Sequence, residues 1–362
     1  MDSTQKILIM AGGTGGHIFP GLAVAENLQK SGWDVHWLGS ENGMENELVS
    51  KHHIRMSLIK ISGVRGKGVV TKLIAPFKLI LAILEALAII RKIRPNVVLG
   101  MGGFASGPGG VAAWILRKPL VIHEQNAIAG YTNRLLSKLA AVTACAFDGA
   151  FSQNVVAKKV GNPIRESFYQ TPNVESRFNQ RSGPLRVLII GGSRGAKKLN
   201  DILPLTLEHL IQPIHIIHQT GKSNEAIVLE SYRVKKLEKH QVEVRAFIDD
   251  MAQCLSWADV AICRAGALTV SELMTIGLGA IFVPYTYAVD DHQTKNAQIM
   301  QNKLAAFLVP ETEFSAESLG KILNQLDRNK LMQMAVNAID EEQKQATQNV
   351  AHICQQLSRD HK

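Results

Sequence analysis

Two glycine-rich strings hold the most specific chemistry in this chain. Gly12-Gly13-Thr14-Gly15-Gly16 follows the apolar run KILIM (6–10) and precedes a helical pattern. Bare N–H groups gathered at a helix start suit phosphate oxygens, helped by the positive end of the helix dipole. A tight strand-to-helix turn would use the same glycines. Gly191-Gly192-Ser193-Arg194-Gly195 repeats the arrangement after LRVLII and adds a hydroxyl and a cation, which favours a ligand over a bare turn. His17 closes the first string. A histidine at a helix N-terminus is disfavoured as a cation, so its neutral, base-competent form is promoted. Capping the helix or holding the loop fits His17 equally well.

Two common phosphate chemistries are excluded by register. GxGxxG counted from Gly13 meets Ile18 at its last position, so the dinucleotide fingerprint fails. TGKS (220–223) resembles the end of a P-loop, but the glycine required five residues before Gly221 is Ile216. No DxD occurs, and Asp249-Asp250 and Asp290-Asp291 lack the intervening residue common in metal–nucleotide sites. A metal-independent nucleotide site is favoured.

Further polar clusters fall where strands should end. HEQNAIAG (123–130) presents His123, Glu124, Gln125 and Asn126 together, and GNPIR (161–165) brings Asn162 and Arg165 to a junction. RAGALTVSEL (264–273) runs from a strand into a helix whose first N–H groups can face a phosphate, with Glu272 one turn further in. A carboxylate there can accept bonds from both hydroxyls of a ribose; taken alone, Glu272 reads as an ordinary helix-surface acid. DDHQTKNA (290–297) offers Gln293 and Asn296, whose amides pair donor and acceptor as sugar hydroxyls require.

The elements that must position these residues alternate in type. KILIM, DVHWLG (34–39), VVLGMG (97–102), PLVIHE (119–124) and AVTACAF (141–147) read as buried strands separated by helix-length segments. After TPNVESRFNQRSG (171–183), a polar stretch with the composition of a linker, the pattern restarts with SGPLRVLII (182–190). IHIIHQT (214–220), VEVRAF (242–247), DVAICRAG (259–266) and AIFVPYT (280–286) follow. Residues 315–362 read as helical. Such alternation implies parallel sheets covered on both faces, whose ligands bind beyond the carboxyl ends of the strands. Two halves that open alike, each with strand, glycine turn and helix, predict paired domains with their loops across one cleft.

Composition fits a packed chain: 362 residues with 46% hydrophobic and 20% charged residues are the prior for two domains. The net charge of +9 is one-sided. Residues 1–163 carry 18 Lys and Arg against nine Asp and Glu, whereas 164–362 carry 22 against 22. An anionic partner of the first half is implied, either nucleic acid or a membrane surface. Cys145, Cys254, Cys263 and Cys354 lack metal spacing, which predicts a reduced, cytosolic compartment, and MDSTQKILIM has no secretory leader. In residues 66–94, Ile74, Phe77, Leu81 and Leu84 lie among Lys67, Lys72, Lys78, Arg91, Lys92 and Arg94. This segment fits a core helix and also a helix lying on anionic lipid. Packing one face inward and turning Ile74, Phe77, Lys72 and Lys78 to the bilayer satisfies both readings.

With these motifs in view, the chain resembles glycosyltransferase family 28, and in particular its enzymes that convert lipid I to lipid II in peptidoglycan synthesis. The matching strings are GGTGGHIFPGLAVA (12–25), GVRGKG (63–68), GMGGFASGPGG (100–110), HEQNAIAG, GNPIR, GGSRGA (191–196), RAGALTVSE (264–272) and DDHQTKNA. The resemblance implies an α/β GT-B fold of two Rossmann-like parallel-sheet domains facing a central cleft. Residues 1–163 would form the acceptor and membrane-docking domain, 164–340 the UDP-sugar donor domain, and 341–362 a helix returning to the first.

The activity implied is inverting, metal-independent transfer of N-acetylglucosamine from UDP-N-acetylglucosamine to the C4 hydroxyl of the muramoyl sugar of lipid I, with no cofactor. Carried over residue by residue, His17 is the general base. Thr14, Gly15, Gly16, Asn126, Arg165, Ser193, Ile248, Ala267, Leu268, Thr269, Val270, Ser271, Glu272 and Gln293 bind the donor. Ile248 meets uracil through its backbone, Glu272 the ribose, and Gln293 and Asn126 the sugar. The family often has Gln where this chain has Arg194, which leaves that residue's role open.

The implied location is peripheral, on the cytoplasmic face of the bacterial inner membrane. The implied partners are anionic inner-leaflet phospholipid and proteins of cell-wall synthesis and division. The alternative is a related GT-B enzyme with a soluble or diacylglycerol-type acceptor, against which HEQNAIAG and the basic segment argue. A non-catalytic nucleic-acid-binding protein could also carry a +9 half, but aromatic–basic interleaving and a reading helix are missing. Nucleic acid is therefore not an expected partner.

Overall fold

The computed structural model describes residues 4–62, 69–192, 195–235 and 238–360. The string GVRGKG, Ser193 and Arg194 lie outside them, as does the side chain of Lys72. The chain divides into two compact units, one of Met1–Arg165 with Glu342–Lys362, the other of Glu166–Glu341.

Unit 1 is built on seven parallel strands: β1 Lys6–Ala11, β2 Asp34–Ser40, β3 Arg55–Ile59, β4 Val97–Gly102, β5 Leu120–Glu124, β6 Val142–Cys145 and β7 Ala157–Lys159. Their order is β3-β2-β1-β4-β5-β6-β7. β1 takes the centre because KILIMA is apolar on both faces, and the strand period sorts its side chains to opposite sides. Ile7, Ile9 and Ala11 pack with Leu22, Val24 and Leu28 of the helix Gly15–Lys30 and with Val350, Ile353 and Cys354 of the C-terminal helix Ala346–Asp360. Leu8 and Met10 pack on the other face with Ala82, Ala86 and Ile90 of the helix Val69–Ile93 and Ala112 of the helix Ser106–Ile115. Full burial of one such aliphatic side chain stabilises by roughly 1.5–3 kcal/mol.

The C-terminal segment is tied to the end of this unit by side-chain amides and a hydroxyl. Asn162 N–H donates to Gln343 Oε1 at 2.8 Å, and Gln343 Nε2 donates to Asn162 O at 2.6 Å. Thr347 Oγ1 accepts from Ile164 N–H at 3.3 Å and donates to Ile164 O at 3.2 Å.

Unit 2 repeats the plan with β8 Leu185–Ile190, β9 Ile214–Gln219, β10 Gln241–Arg245, β11 Val260–Cys263, β12 Ala280–Phe282 and β13 Ala306–Leu308. These are ordered β10-β9-β8-β11-β12-β13, again all parallel. In both sheets the order reverses beside the strand that precedes a glycine string, between β1 and β4 and between β8 and β11. Open α/β sheets bind ligands at such switch points.

Two expectations need correction. Residues 171–183 are not a linker: Asn173 caps a helix, Val174–Asn179, whose Val174 and Phe178 enter the core of unit 2. Arg177 Nη2 donates to Ile276 O at 2.7 Å, and Arg181 Nη1 donates to Asp259 Oδ1 at 2.6 Å with its side chain almost wholly buried. The string looks polar because its arginines serve buried carbonyls and a carboxylate. Strands β3, β7 and β13 also escaped the reading of the sequence. All three are sheet edges, where short, charged or mixed segments are usual, as Lys158 and Lys159 of β7 illustrate.

Candidate functional site

In unit 1 the residues after β1, β4 and β5 converge. Thr14 is extended and exposed at the helix start, and its carbonyl accepts from His17 N–H at 3.1 Å and Ile18 N–H at 3.2 Å. That leaves the Gly15 and Gly16 N–H groups as donors at the end of the dipole. The expectation that the whole string faces a phosphate changes at Gly13, whose N–H donates to Glu45 Oε2 at 3.2 Å. Glu45 is fully buried beneath the string, and its Oε1 also accepts from Ser40 N–H and Ser40 Oγ at 2.8 and 2.7 Å. A Cβ on Gly12 would lie 2.5 Å from Glu45 Oε1, so glycine is required there by packing.

His17 is half-buried against the end of β4, where Gly102 has φ +101° and space for no side chain on its His17 side. The imidazole Nδ1 lies 2.9 Å from Gln125 Oε1. Gln125 Nε2 donates to Met101 O at 2.8 Å and lies 3.3 Å from His123 Nδ1, and His123 Nε2 donates to Gly161 O at 2.8 Å. Burial holds His123 down at about 4, so it stays neutral.

Glu124 shapes the next turn. Its Oε1 accepts from Asn126 N–H and Nδ2 at 3.0 and 3.2 Å, while its Oε2 accepts from Gly130 N–H and Asn133 Nδ2 at 3.1 and 2.8 Å. A carboxylate so fully engaged organises the loop that presents Asn126. Arg165 lies over the Phe19 ring, 5.5 Å from its centroid. Thr14 and Asn126 are thus on loops at the carboxyl ends of the strands, and Gly15, Gly16 and His17 form the first turn of the helix Gly15–Lys30, to which Arg165 is held through Phe19.

In unit 2 the run 267–272 is not uniform. The helix Ala267–Ile276 starts after Gly266, and Leu268 and Thr269 are its half-covered side chains. Val270 and Ser271 are fully buried, Ala267 and Glu272 nearly so. Leu268 and Thr269 are therefore the most accessible side chains of this run. Ile248 is buried in the β10-to-helix connection, where Asp250 Oδ1 caps the helix Met251–Trp257 by accepting from Gln253 N–H at 3.0 Å.

Gln293 is half-buried in the helix His292–Asn302, and its Oε1 accepts from Tyr285 N–H at 2.9 Å. Asn296, a candidate for sugar hydroxyls, is wholly buried and donates from Nδ2 to Ala265 O at 3.1 Å, which fixes the turn after β11. The segment after β12 is anchored by Arg264. Its Nη1 donates to Val283 O at 2.9 Å and its Nη2 to Glu311 Oε1 at 2.8 Å, and Glu311 also accepts from Thr286. Of the second glycine string, Gly191 N–H donates to Gln219 O at 3.1 Å, and Asn200 Nδ2 and Asn224 Nδ2 both donate to the next carbonyl, Thr220 O, at 3.1 Å.

The membrane candidates lie on the helix Val69–Ile93. Ile74 and Phe77 are exposed, Phe77 at 70%, with Leu79, Ile80, Leu81 and Leu84 and the neighbouring Trp114 and Ile115. Lys78 is exposed within the same stretch. Among the described residues no helix is long and apolar enough to cross a membrane, and no three His, Cys, Asp or Glu side chains converge to hold a metal.

Glu45, Gly102 and the orienting role of Gln125 were missed by sequence reasoning. Glu45 belongs to no motif of the sequence, and only the fold brings it beneath the first glycine string. Gly102 and Gln125 stood in noted strings, but only the packing assigns them to His17.

Comparison with known proteins agrees with the fold. The glycosyltransferase family 28 N-terminal domain matches residues 7–145, and the family's C-terminal domain matches residues 186–353. The chain is 46% identical over 359 residues, 99% of its length and 100% of the relative's, to a Vibrio atlanticus (strain LGP32) protein. That relative is named UDP-N-acetylglucosamine--N-acetylmuramyl-(pentapeptide) pyrophosphoryl-undecaprenol N-acetylglucosamine transferase. A protein of the same name from Shewanella frigidimarina (strain NCIMB 400) is 48% identical, with 99% and 98% of the two chains covered. Among solved structures, MurG of Acinetobacter baumannii superposes with a TM-score of 0.87 at 41% identity, covering 97% of this chain and 99% of that one.

Proposed function

Because the chain belongs to glycosyltransferase family 28, we propose that it transfers N-acetylglucosamine from UDP-N-acetylglucosamine to the C4 hydroxyl of lipid I, forming lipid II with inversion. The observation that carries this reading is the full-length identity to transferases of that name, joined to a histidine and glycine N–H groups at the switch point of unit 1.

In this reading His17 takes the proton of the acceptor hydroxyl as its oxygen attacks the anomeric carbon from the face opposite UDP. The bond from that carbon to the phosphate oxygen breaks, and its electron pair leaves with the diphosphate. Backbone N–H groups at the start of the helix Ala267–Ile276, with Ser193, stabilise that developing charge. The Ile248 backbone reads uracil and Glu272 accepts from the ribose hydroxyls. The amides of Gln293 and Asn126 serve the sugar hydroxyls. Thr14, Gly15, Gly16 and Arg165 complete the set. The apolar patch around Phe77, with Lys72 and Lys78, docks on anionic phospholipid of the inner leaflet at the cytoplasmic face. Proteins of cell-wall synthesis and division are the further partners of an enzyme working there.

The test is transfer of radiolabel from UDP-N-acetylglucosamine to lipid I. Labelled lipid II is the expected product. Label that stays in the nucleotide sugar, or moves only to a diacylglycerol acceptor, would refute the assignment.

A further inference from the structure

The side chains behind His17 form a hydrogen-bonded series in which every proton has one possible place. Two carbonyl oxygens, which only accept, anchor it. Met101 O receives a bond at 2.8 Å from the Gln125 amide, so the amide nitrogen faces Met101 and its oxygen faces His17. Gly161 O receives a bond at 2.8 Å from His123 Nε2, so His123 carries its proton on Nε2 and offers the Nδ1 lone pair to the Gln125 amide, 3.3 Å away. Gln125 and His123 are buried, at 1% and 0% exposure, so water does not compete for these bonds. Burial also keeps His123 neutral. An amide oxygen cannot donate, so the 2.9 Å contact between Gln125 and His17 requires the His17 proton to sit on Nδ1.

We infer that Gln125 is a positioning residue which locks His17 in the Nδ1–H tautomer, leaving Nε2 as the nitrogen that accepts the substrate proton. The inference rests on the proposed role of His17 and goes beyond it by naming the atom and the residues that select it. The geometry gives each group a separate part. Met101 O turns the amide, His123 and Gly161 O keep it turned, and Gly102 leaves room for the ring, since a Cβ there would lie 2.8 Å from Nδ1. In a general base the wrong tautomer presents an N–H where a lone pair is needed, which removes much of the contribution of the base.

The test begins with the wild-type protein labelled with ¹⁵N-histidine, its His17 signals identified by their loss in His17→Gln. Long-range ¹H–¹⁵N correlation is expected to show Nδ1 protonated and Nε2 bare at neutral pH. A protonated Nε2 overturns the inference. In Gln125→Met, the tautomers should mix and kcat should fall by roughly 10- to 1,000-fold, with KM for UDP-N-acetylglucosamine within about twofold of wild type. An unchanged tautomer with unchanged kcat in that variant overturns it equally. If Gln125→Met does not fold, the wild-type spectrum still decides. A His17→Ala enzyme that turns over normally would remove His17 as the base and leave the tautomer result standing, so the two failures are read apart.

Discussion

A Cβ placed on Gly102 would come within 2.8 Å of His17 Nδ1. The imidazole therefore occupies the space that any other residue at the end of β4 would fill, and the positive φ of +101° at that position also excludes L side chains. Gly102→Ala should push the ring off Gln125 and lower kcat at least about tenfold, with a stability loss of roughly 1–3 kcal/mol from the strained backbone. Steady-state kinetics beside a urea titration check both, and wild-type turnover in a folded variant would show that the ring is not held there.

Glu45 should matter to stability more than to chemistry. Its carboxylate accepts from Ser40 N–H, Ser40 Oγ and Gly13 N–H in a fully buried position. Glu45→Ala strands those donors, at about 1–3 kcal/mol for each one left without a partner. A clearly lowered thermal midpoint is expected. An unchanged midpoint would mean that the glycine string does not depend on the carboxylate under it.

The buried histidines predict an acid-sensitive fold in each unit. His123 in unit 1 is held down at about 4 and His218 in unit 2 at about 3, both mainly by burial. Unfolded histidine titrates near 6.5, so below about pH 6.5 the unfolded chain binds protons that the folded one refuses. Stability contributed by these groups is whole above that pH and is lost as pH falls toward 4 and 3. Protection factors of the β5 and β9 amides, each taken relative to intrinsic exchange at the same pH, should fall over this window, and the effect at β9 should shrink in His218→Asn. Equal pH sensitivity of β9 with and without His218 would contradict the assignment.

Phe77 projects from the helix Val69–Ile93 beside Ile74, Ile80 and Leu81. Flotation with anionic vesicles should carry the wild-type protein up far more than neutral vesicles do, and Phe77→Glu should weaken that binding at least tenfold. Negligible and equal binding to both lipids would end the docking proposal.

The sequence foretold the framework better than its edges. KILIM and LRVLII had to be central because parallel-sheet interiors are apolar on both faces, and the glycine strings after them marked the switch points. Edge strands such as Arg55–Ile59 carry half that signal, and the helix at Val174 hid behind arginines whose partners are backbone carbonyls elsewhere in unit 2. Within the site, residue types suited to ligands were visible, but whether a side chain faces a ligand or the fold was not. Asn296 turned to Ala265, Glu124 to its own loop and Val270 to the core. Such choices depend on contacts far apart in the chain, to which spacing is blind.

The central claim is that His17 removes the acceptor proton. It is tested most directly by measuring donor binding and lipid I turnover side by side in His17→Ala. The account predicts UDP-N-acetylglucosamine affinity within about twofold of wild type and kcat reduced by roughly 10²–10⁴. Unreduced kcat in the same variant would contradict it.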